Sequence, residues 1–250
     1  MNYLKSKVRR IWLRKLASQP TFAKGTNTSK RINAILSLMP GRSKYLEIGT
    51  QYGLTFESIN CGERTGVDPN PKFSRKTLPT GVQIYDLSSD DFFAQVQPQG
   101  KWDFIFLDGL HEFRQTARDF ENSLRHRSSN GLILIDDTIP DDEYSALPSQ
   151  EQCNLERKKN GVNSRTWHGD VYKVIFMLNE YPEIFKLQTA IYPGNPQTLV
   201  KIIDENSAAN FRFSDQDYLR ADLLTFRECF ANLASVHKVF NLVFERFLFF

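Results

Sequence analysis

The 250-residue chain predicts an α/β fold around a doubly wound, mainly parallel sheet. Three observations carry that expectation. Short apolar runs alternate with helical patterns between residues 45 and 135. One run, residues 102–107 (WDFIFL), is nearly all apolar, as a strand buried on both faces must be. Each of the five runs also ends at a glycine or aspartate, and ligands of doubly wound sheets bind beyond the carboxyl ends of the strands.

The elements follow in order. Leu4, Val8, Ile11, Trp12 and Leu16 recur at helical spacing in a basic segment that Gln19-Pro20 ends. Ile32, Ile35, Leu36 and Met39 predict a second short helix, stopped by Pro40-Gly41. Residues 45–48 read as the first strand, 54–60 as a helix, 65–67 as the second strand and 82–85 as the third. Residues 90–96 read as a helix and 102–107 as the fourth strand. In 112–125, Phe113, Ala117, Phe120 and Leu124 mark one face of a helix, and 131–135 (GLILI) is the fifth strand. Residues 138–170 are long, polar and aperiodic, and are expected to be a lid over a binding site. A helix over 171–178 and two late strands over 186–192 and 198–203 follow, then a Phe-rich helical tail over 215–250. The expected organisation is a basic helical arm over 1–43, a ligand-binding domain over 44–205 and a helical extension over 206–250.

The net charge of +3 conceals a split. Residues 1–46 hold eleven Lys or Arg and no Asp or Glu, while the other 204 residues sum to −8. Such asymmetry suggests a basic accessory arm on an acidic globular body. At 40% apolar and 24% charged the chain is too apolar for intrinsic disorder. No run approaches the ~20 apolar residues that span a bilayer. Cys61, Cys153 and Cys229 are scattered, with neither zinc spacing nor a disulfide framework, so a reducing, cytoplasmic setting is expected.

The strand ends carry the chemistry. After the first strand comes Glu47-Ile48-Gly49-Thr50-Gln51-Tyr52-Gly53, where glycines allow a tight turn and close approach to a ligand. Asp68 follows about twenty residues later, where a carboxylate can accept from both ribose hydroxyls. Asp86 and Ser88 follow the third strand, where an adenine would lie. The fourth strand ends at Asp108-Gly109-Leu110-His111 and the fifth at Asp136-Asp137. If these strands are neighbours, three carboxylates and an imidazole converge, and such crowding calls for a cation, with hard oxygen donors favouring Mg²⁺, Mn²⁺ or Ca²⁺. The competing structural reading has Asp136-Asp137 capping a loop and His111 capping the helix that follows it.

At these residues the sequence resembles the class I S-adenosylmethionine-dependent methyltransferases over residues 44–203. Residues 47–53 look like their first motif and Gly66-Val67-Asp68 like their second. Residues 106–111 (FLDGLH), Leu134-Ile135-Asp136-Asp137 and residues 167–173 (WHGDVYK) are similar to the branch of macrocin and mycinamicin sugar O-methyltransferases. Gln51 stands where many relatives carry a third glycine. The resemblance implies a Rossmann-like sheet of seven strands, the last antiparallel, with helices on both faces. It implies S-adenosyl-L-methionine held by Glu47, Gly49, Thr50, Gly53, Asp68, Asp86, Ser88 and Asp108. It also implies a divalent metal, Mg²⁺ above others, at Asp108, Asp136 and Asp137, with His111 as base toward a hydroxyl of a sugar, glycan or small natural product. His168 and Asp170 are expected either at the substrate or, for Asp170, at the N-cap of the next helix.

Other readings remain open on sequence. A nicotinamide-dependent oxidoreductase shares the glycine loop and the ribose acid but gives Asp108, Asp136 and Asp137 no task. A non-catalytic binding protein of the same fold has no need of such crowding. A nucleic-acid partner is not expected of an acidic body without basic, aromatic-interleaved patches. The basic arm is expected to fold over the site mouth, with peripheral anchoring to anionic lipid or a transit peptide as alternatives. Phe240, Phe244, Phe247, Phe249 and Phe250 are expected to pack on the sheet or on a second subunit of a homo-oligomer.

Overall fold

The computed structural model describes residues 25–39, 41, 43–75, 78–96, 102–230, 239 and 242–243. The basic arm before Gly25 and the terminal phenylalanines lie outside the described residues. Among those described, no helix is long and apolar enough to cross a membrane.

The strands are β1 (Lys44–Ile48), β2 (Glu63–Val67), β3 (Val82–Tyr85), β4 (Trp102–Leu107), β5 (Arg127–Ile135), β6 (Phe185–Ala190), β7 (Gln197–Ile202) and β8 (Leu242–Val243). They form one sheet in the order β3-β2-β1-β4-β5-β7-β6-β8. β7 runs antiparallel to both its neighbours, and the other pairings are parallel. The seven-stranded expectation with an antiparallel last strand holds for β1 to β7. The two-residue β8 at the far edge is an addition that its length hides from periodicity.

Strand alternation places the core on both faces. Tyr45, Phe104, Phe106, Leu132, Leu134 and Leu199 point to one face and pack beneath α1 (Asn27–Leu36) through Ile32, Ile35 and Leu36. Leu46, Ile48, Ile105, Leu107, Ile133 and Ile135 point to the other face. There they meet α2 (Ser89–Gln95), α3 (Phe113–His126) and α5 (Tyr172–Leu178). The α3 stripe is the expected one, Phe113, Ala117, Phe120 and Leu124, all buried. α1 begins where Thr26 Oγ1 accepts from Ser29 N at 3.0 Å, a helix N-cap.

Two segments depart from expectation. Residues 54–60 form only a 3-10 turn, Phe56–Ser58. The carbonyls of Phe56, Glu57 and Ile59 all accept from one Arg64 Nη1, at 3.0, 3.2 and 2.9 Å, and Phe56 O also accepts from Ile59 N at 3.3 Å to close the turn. The aperiodic insertion over 138–170 contains α4 (Gln150–Lys159), capped by Ser149. α4 buries only Cys153 and Arg157, and a helix without an apolar face leaves no period to read. The tail continues as α6 (Glu205–Ala209), α7 (Asp215–Leu223) and α8 (Phe226–Phe230).

Register positions the site. Ile48 pairs with Val67 and with Leu107, Val67 with Tyr85, and Leu107 with Ile135. The five parallel strands thus end in one row, and the next residues in line are Gly49, Asp68, Asp86, Asp108 and Asp136. Between β1 and β4 the winding reverses, which opens the crevice of such sheets.

Candidate active site

The loop after β1 owes its shape to its glycines. Gly49 has φ +90, and a Cβ there would overlap the carbonyl oxygen of Asp108. Gly53 has φ +72, with its Cα face against the Phe73 ring. Gln51 itself takes φ +37, the left-handed region that glycine would enter without strain. Its N–H donates to Asp68 Oδ2 at 2.8 Å, while Asn70 N donates to Oδ1 at 2.7 Å. Asp68 therefore clamps the loop as well as facing the crevice.

A cavity of about 680 Å³ runs along the row. Gly49, Asp68, Leu87, Ser88, Asp108 and His111 are among its lining residues. A second cavity of about 340 Å³ opens beyond Gly49, between Glu47, Thr50, Asp108 and Asp136 and the α1 start. Asp108 lines both. Ser88 reaches the first cavity, but its hydroxyl caps α2, accepting from Asp91 N at 3.1 Å and donating to Asp91 Oδ2 at 2.6 Å. Asp86 lies off the cavity wall, paired with Arg75 at the surface. The strand-end row brings Asp86 level with Asp68, but its side chain turns to the nearest cation.

Glu47 is fully buried, and Tyr45 Oη donates to its Oε2 at 2.5 Å. Burial pushes the Glu47 carboxyl up to about 8; the Tyr45 hydrogen bond opposes the shift and the Asp108 charge adds to it. Thr50 Oγ1, also buried, has no hydrogen-bond partner.

The second cluster centres on His111. Its Nε2 lies 3.4 Å from Asp108 Oδ1 and its Nδ1 3.1 Å from Asp137 Oδ2. Burial works against the charged ring, yet the Asp108 hydrogen bond and the Asp137 charge prevail and raise its pKa. Asp136 is buried, and Gln197 Nε2 donates to its Oδ1 at 2.8 Å. Burial, then the charges of Asp108 and Asp137, push Asp136 well above the carboxylate range. Burial also drives Asp137 up to about 7, with His111 opposing and Asp108 adding. Asp137 takes φ +54 and stands behind His111, off the cavity walls.

The donor set has the chemistry of a hard divalent site: three crowded carboxylates, with Asp137 Oδ1 buried and without a hydrogen bond. Its arrangement in the free protein serves His111 instead. Among the described residues no group of three or more His, Cys, Asp or Glu is placed to hold an ion.

The insertion ends on this cluster. The Trp167 ring stacks on His111, with centroids 5.3 Å apart and planes 23° apart. His168 Nε2 lies 3.8 Å from Asp137 Oδ1. Asp170 does not cap its own helix. Its Oδ1 accepts from Phe113 N at 2.6 Å, capping α3, while Oδ2 pairs with Lys173 at 3.1 Å. His111 is thus not the cap of α3 either. Gln197 and Trp167 are site residues to which sequence reasoning assigned no role. Gln197 faces Asp136 only because β7 folds back antiparallel, Thr198 opposite Ile135, and nothing local in the sequence marks that.

Comparisons with known proteins bear on this geometry. Residues 46–138 match a family model described as a methyltransferase domain. No curated protein matches the sequence. The cofactor-bound Rv0187 structure from MTB superposes with TM-score 0.50 at 14% identity, over 79% of this chain and 89% of that one. The O-methyltransferase from Bacillus cereus in complex with SAH gives TM-score 0.47 at 15% identity, over 81% and 91%. The MycE methyltransferase from the mycinamycin pathway, in complex with Mg, SAH and mycinamycin VI, gives 0.45 at 14% identity, over 70% and 49%. Over residues 46–138, which hold the glycine loop and the first five strand ends, the chain is thus similar to methyltransferase domains, in keeping with the strand order of the sheet.

Proposed function

We propose that the chain O-methylates a hydroxyl of a sugar, glycan or small natural product, using His111 as the base. One observation carries the reading: His111 and Asp108 share the wall of the larger cavity, and Asp108 also borders the smaller one. A donor lying along Gly49 and Asp68 would end beside His111, whose imidazole lines the same cavity. Methyl transfer is an in-line displacement, so the protein's task is to align an oxygen with the methyl carbon and remove its proton.

Glu47 would meet the donor's methionyl ammonium. Neutral in the free protein near pH 7, it becomes a carboxylate when that cation arrives. Asp68 faces the ribose with the lone pairs that the loop amides leave free. Leu87 offers an apolar wall for the adenine.

Asp108, Asp136 and Asp137 would hold a divalent cation, whose chemistry when bound is to acidify and orient the acceptor hydroxyl. Asp108 and Asp137, 3.4 and 3.1 Å from its two ring nitrogens, hold the His111 imidazole at the cavity wall. The test is transfer of a labelled methyl group from S-adenosylmethionine to a panel of glycosides and polyketide glycosides, before and after chelation. Transfer that chelation abolishes and Mg²⁺ restores is the expected result. Full activity after exhaustive chelation removes the metal from the reading.

A further inference from the structure

We propose that residues 167–170 form a fixed strap that positions His111, so that Trp167 and Gly169 are positioning residues for the methyl-transfer step. The proposal rests on His111 being the base. Three contacts converge on one residue from one direction. The Trp167 indole lies nearly flat on the imidazole, 5.3 Å between centroids. Gly169, at φ +65, presses on the His111 backbone so closely that a Cβ would overlap the His111 carbonyl oxygen. Asp170 then holds Phe113 N, two residues beyond His111. The ring, the carbonyl and the start of the following helix are all fixed by four successive residues.

The strap is itself anchored inside the insertion. Trp167 Nε1 donates to Leu147 O at 2.7 Å, and His168 N donates to Ser145 O at 3.0 Å. Arg157, buried in α4, takes both carboxylate oxygens of Asp142 at 2.9 and 3.0 Å and also donates to Thr166 O. The insertion expected as a lid therefore has a built base, and that base bears on the proposed catalytic imidazole. Trp167 also lines the larger cavity. The two aspartates on the imidazole edges hold it only through its nitrogens. A ring stacked on its face adds a third constraint and keeps the nitrogens aimed.

The test uses the full chain with Trp167→Leu, Trp167→Phe and His111→Ala. His111 ring signals, assigned by their loss in His111→Ala, carry an upfield ring-current shift in the wild type. Trp167→Leu is expected to lose that shift and to lower kcat by about 10²-fold, as a misplacement of about 1 Å does. S-adenosylhomocysteine affinity should not change, and Trp167→Phe should restore most of both losses. If Trp167→Leu does not fold, nuclear Overhauser contacts between the two rings in the wild type take its place, and their absence overturns the proposal. Wild-type kcat in folded Trp167→Leu overturns it while leaving the base reading intact. Activity in His111→Ala instead overturns the base reading and the strap with it.

Discussion

His111→Ala lowers kcat by about 10²–10⁴-fold, the usual worth of a positioned general base. S-adenosylhomocysteine affinity is expected to stay near the wild-type value, because the proposed cofactor contacts lie beyond the ends of β1, β2 and β3. The reason lies in how the imidazole is held. Asp108 sits at 3.4 Å on one nitrogen and Asp137 at 3.1 Å on the other, so both ring nitrogens are addressed by acids from neighbouring strand ends. Removing the ring takes away the proton acceptor and leaves three carboxylates crowded without it. The chain should remain folded, since His111 sits in a loop at the crevice wall and the core beneath is Leu107, Ile135 and Val171. Single-turnover methyl transfer, with calorimetric titration of S-adenosylhomocysteine, separates the two effects. Equal activity in the variant removes His111 from the mechanism.

Gly49→Ala loses cofactor binding and destabilises the domain. Two costs combine. The residue is at φ +90, where an L side chain is strained by about 1–3 kcal/mol. Its Cβ would also fall on the Asp108 carbonyl, a backbone atom that cannot rotate away. Displacing packed neighbours costs a further ~1–3 kcal/mol. The shift would part β1 from β4 at the row where the cavities meet. Gly62→Ala is the control, because nothing lies within 4 Å of a Cβ there and its φ is not positive. Urea unfolding should show the first variant clearly destabilised and the second close to wild type.

Much of this arrangement is legible in the sequence because it depends on local pattern. Runs such as residues 102–107 can only be strands buried on two faces, and the polar residue after each run falls at the crevice once the strands share a register. Gly49, Asp68, Asp108 and Asp136 follow from that rule, and His111 lies in the loop that begins at Asp108. What escaped depends on distant partners. The turn at Phe56–Ser58 hands its carbonyls to a guanidinium on β2 as well as to its own backbone. α4 has no apolar stripe because it buries an arginine and a cysteine. Asp86 turned to Arg75, and Asp170 caps a helix 57 residues away in sequence. Side-chain choice among nearby partners is a tertiary matter that neither periodicity nor spacing encodes.

The most direct check on the central claim is calorimetric titration of the full chain with S-adenosylhomocysteine and, separately, with NAD. One S-adenosylhomocysteine should bind per chain, and NAD should give no binding heat. Run at pH 7 in buffers of different ionisation enthalpy, the first titration should also show proton release. The free Glu47 carboxyl, at about 8, is mostly protonated there and ionises against the ligand's ammonium. Binding of NAD with no response to S-adenosylhomocysteine would contradict the account.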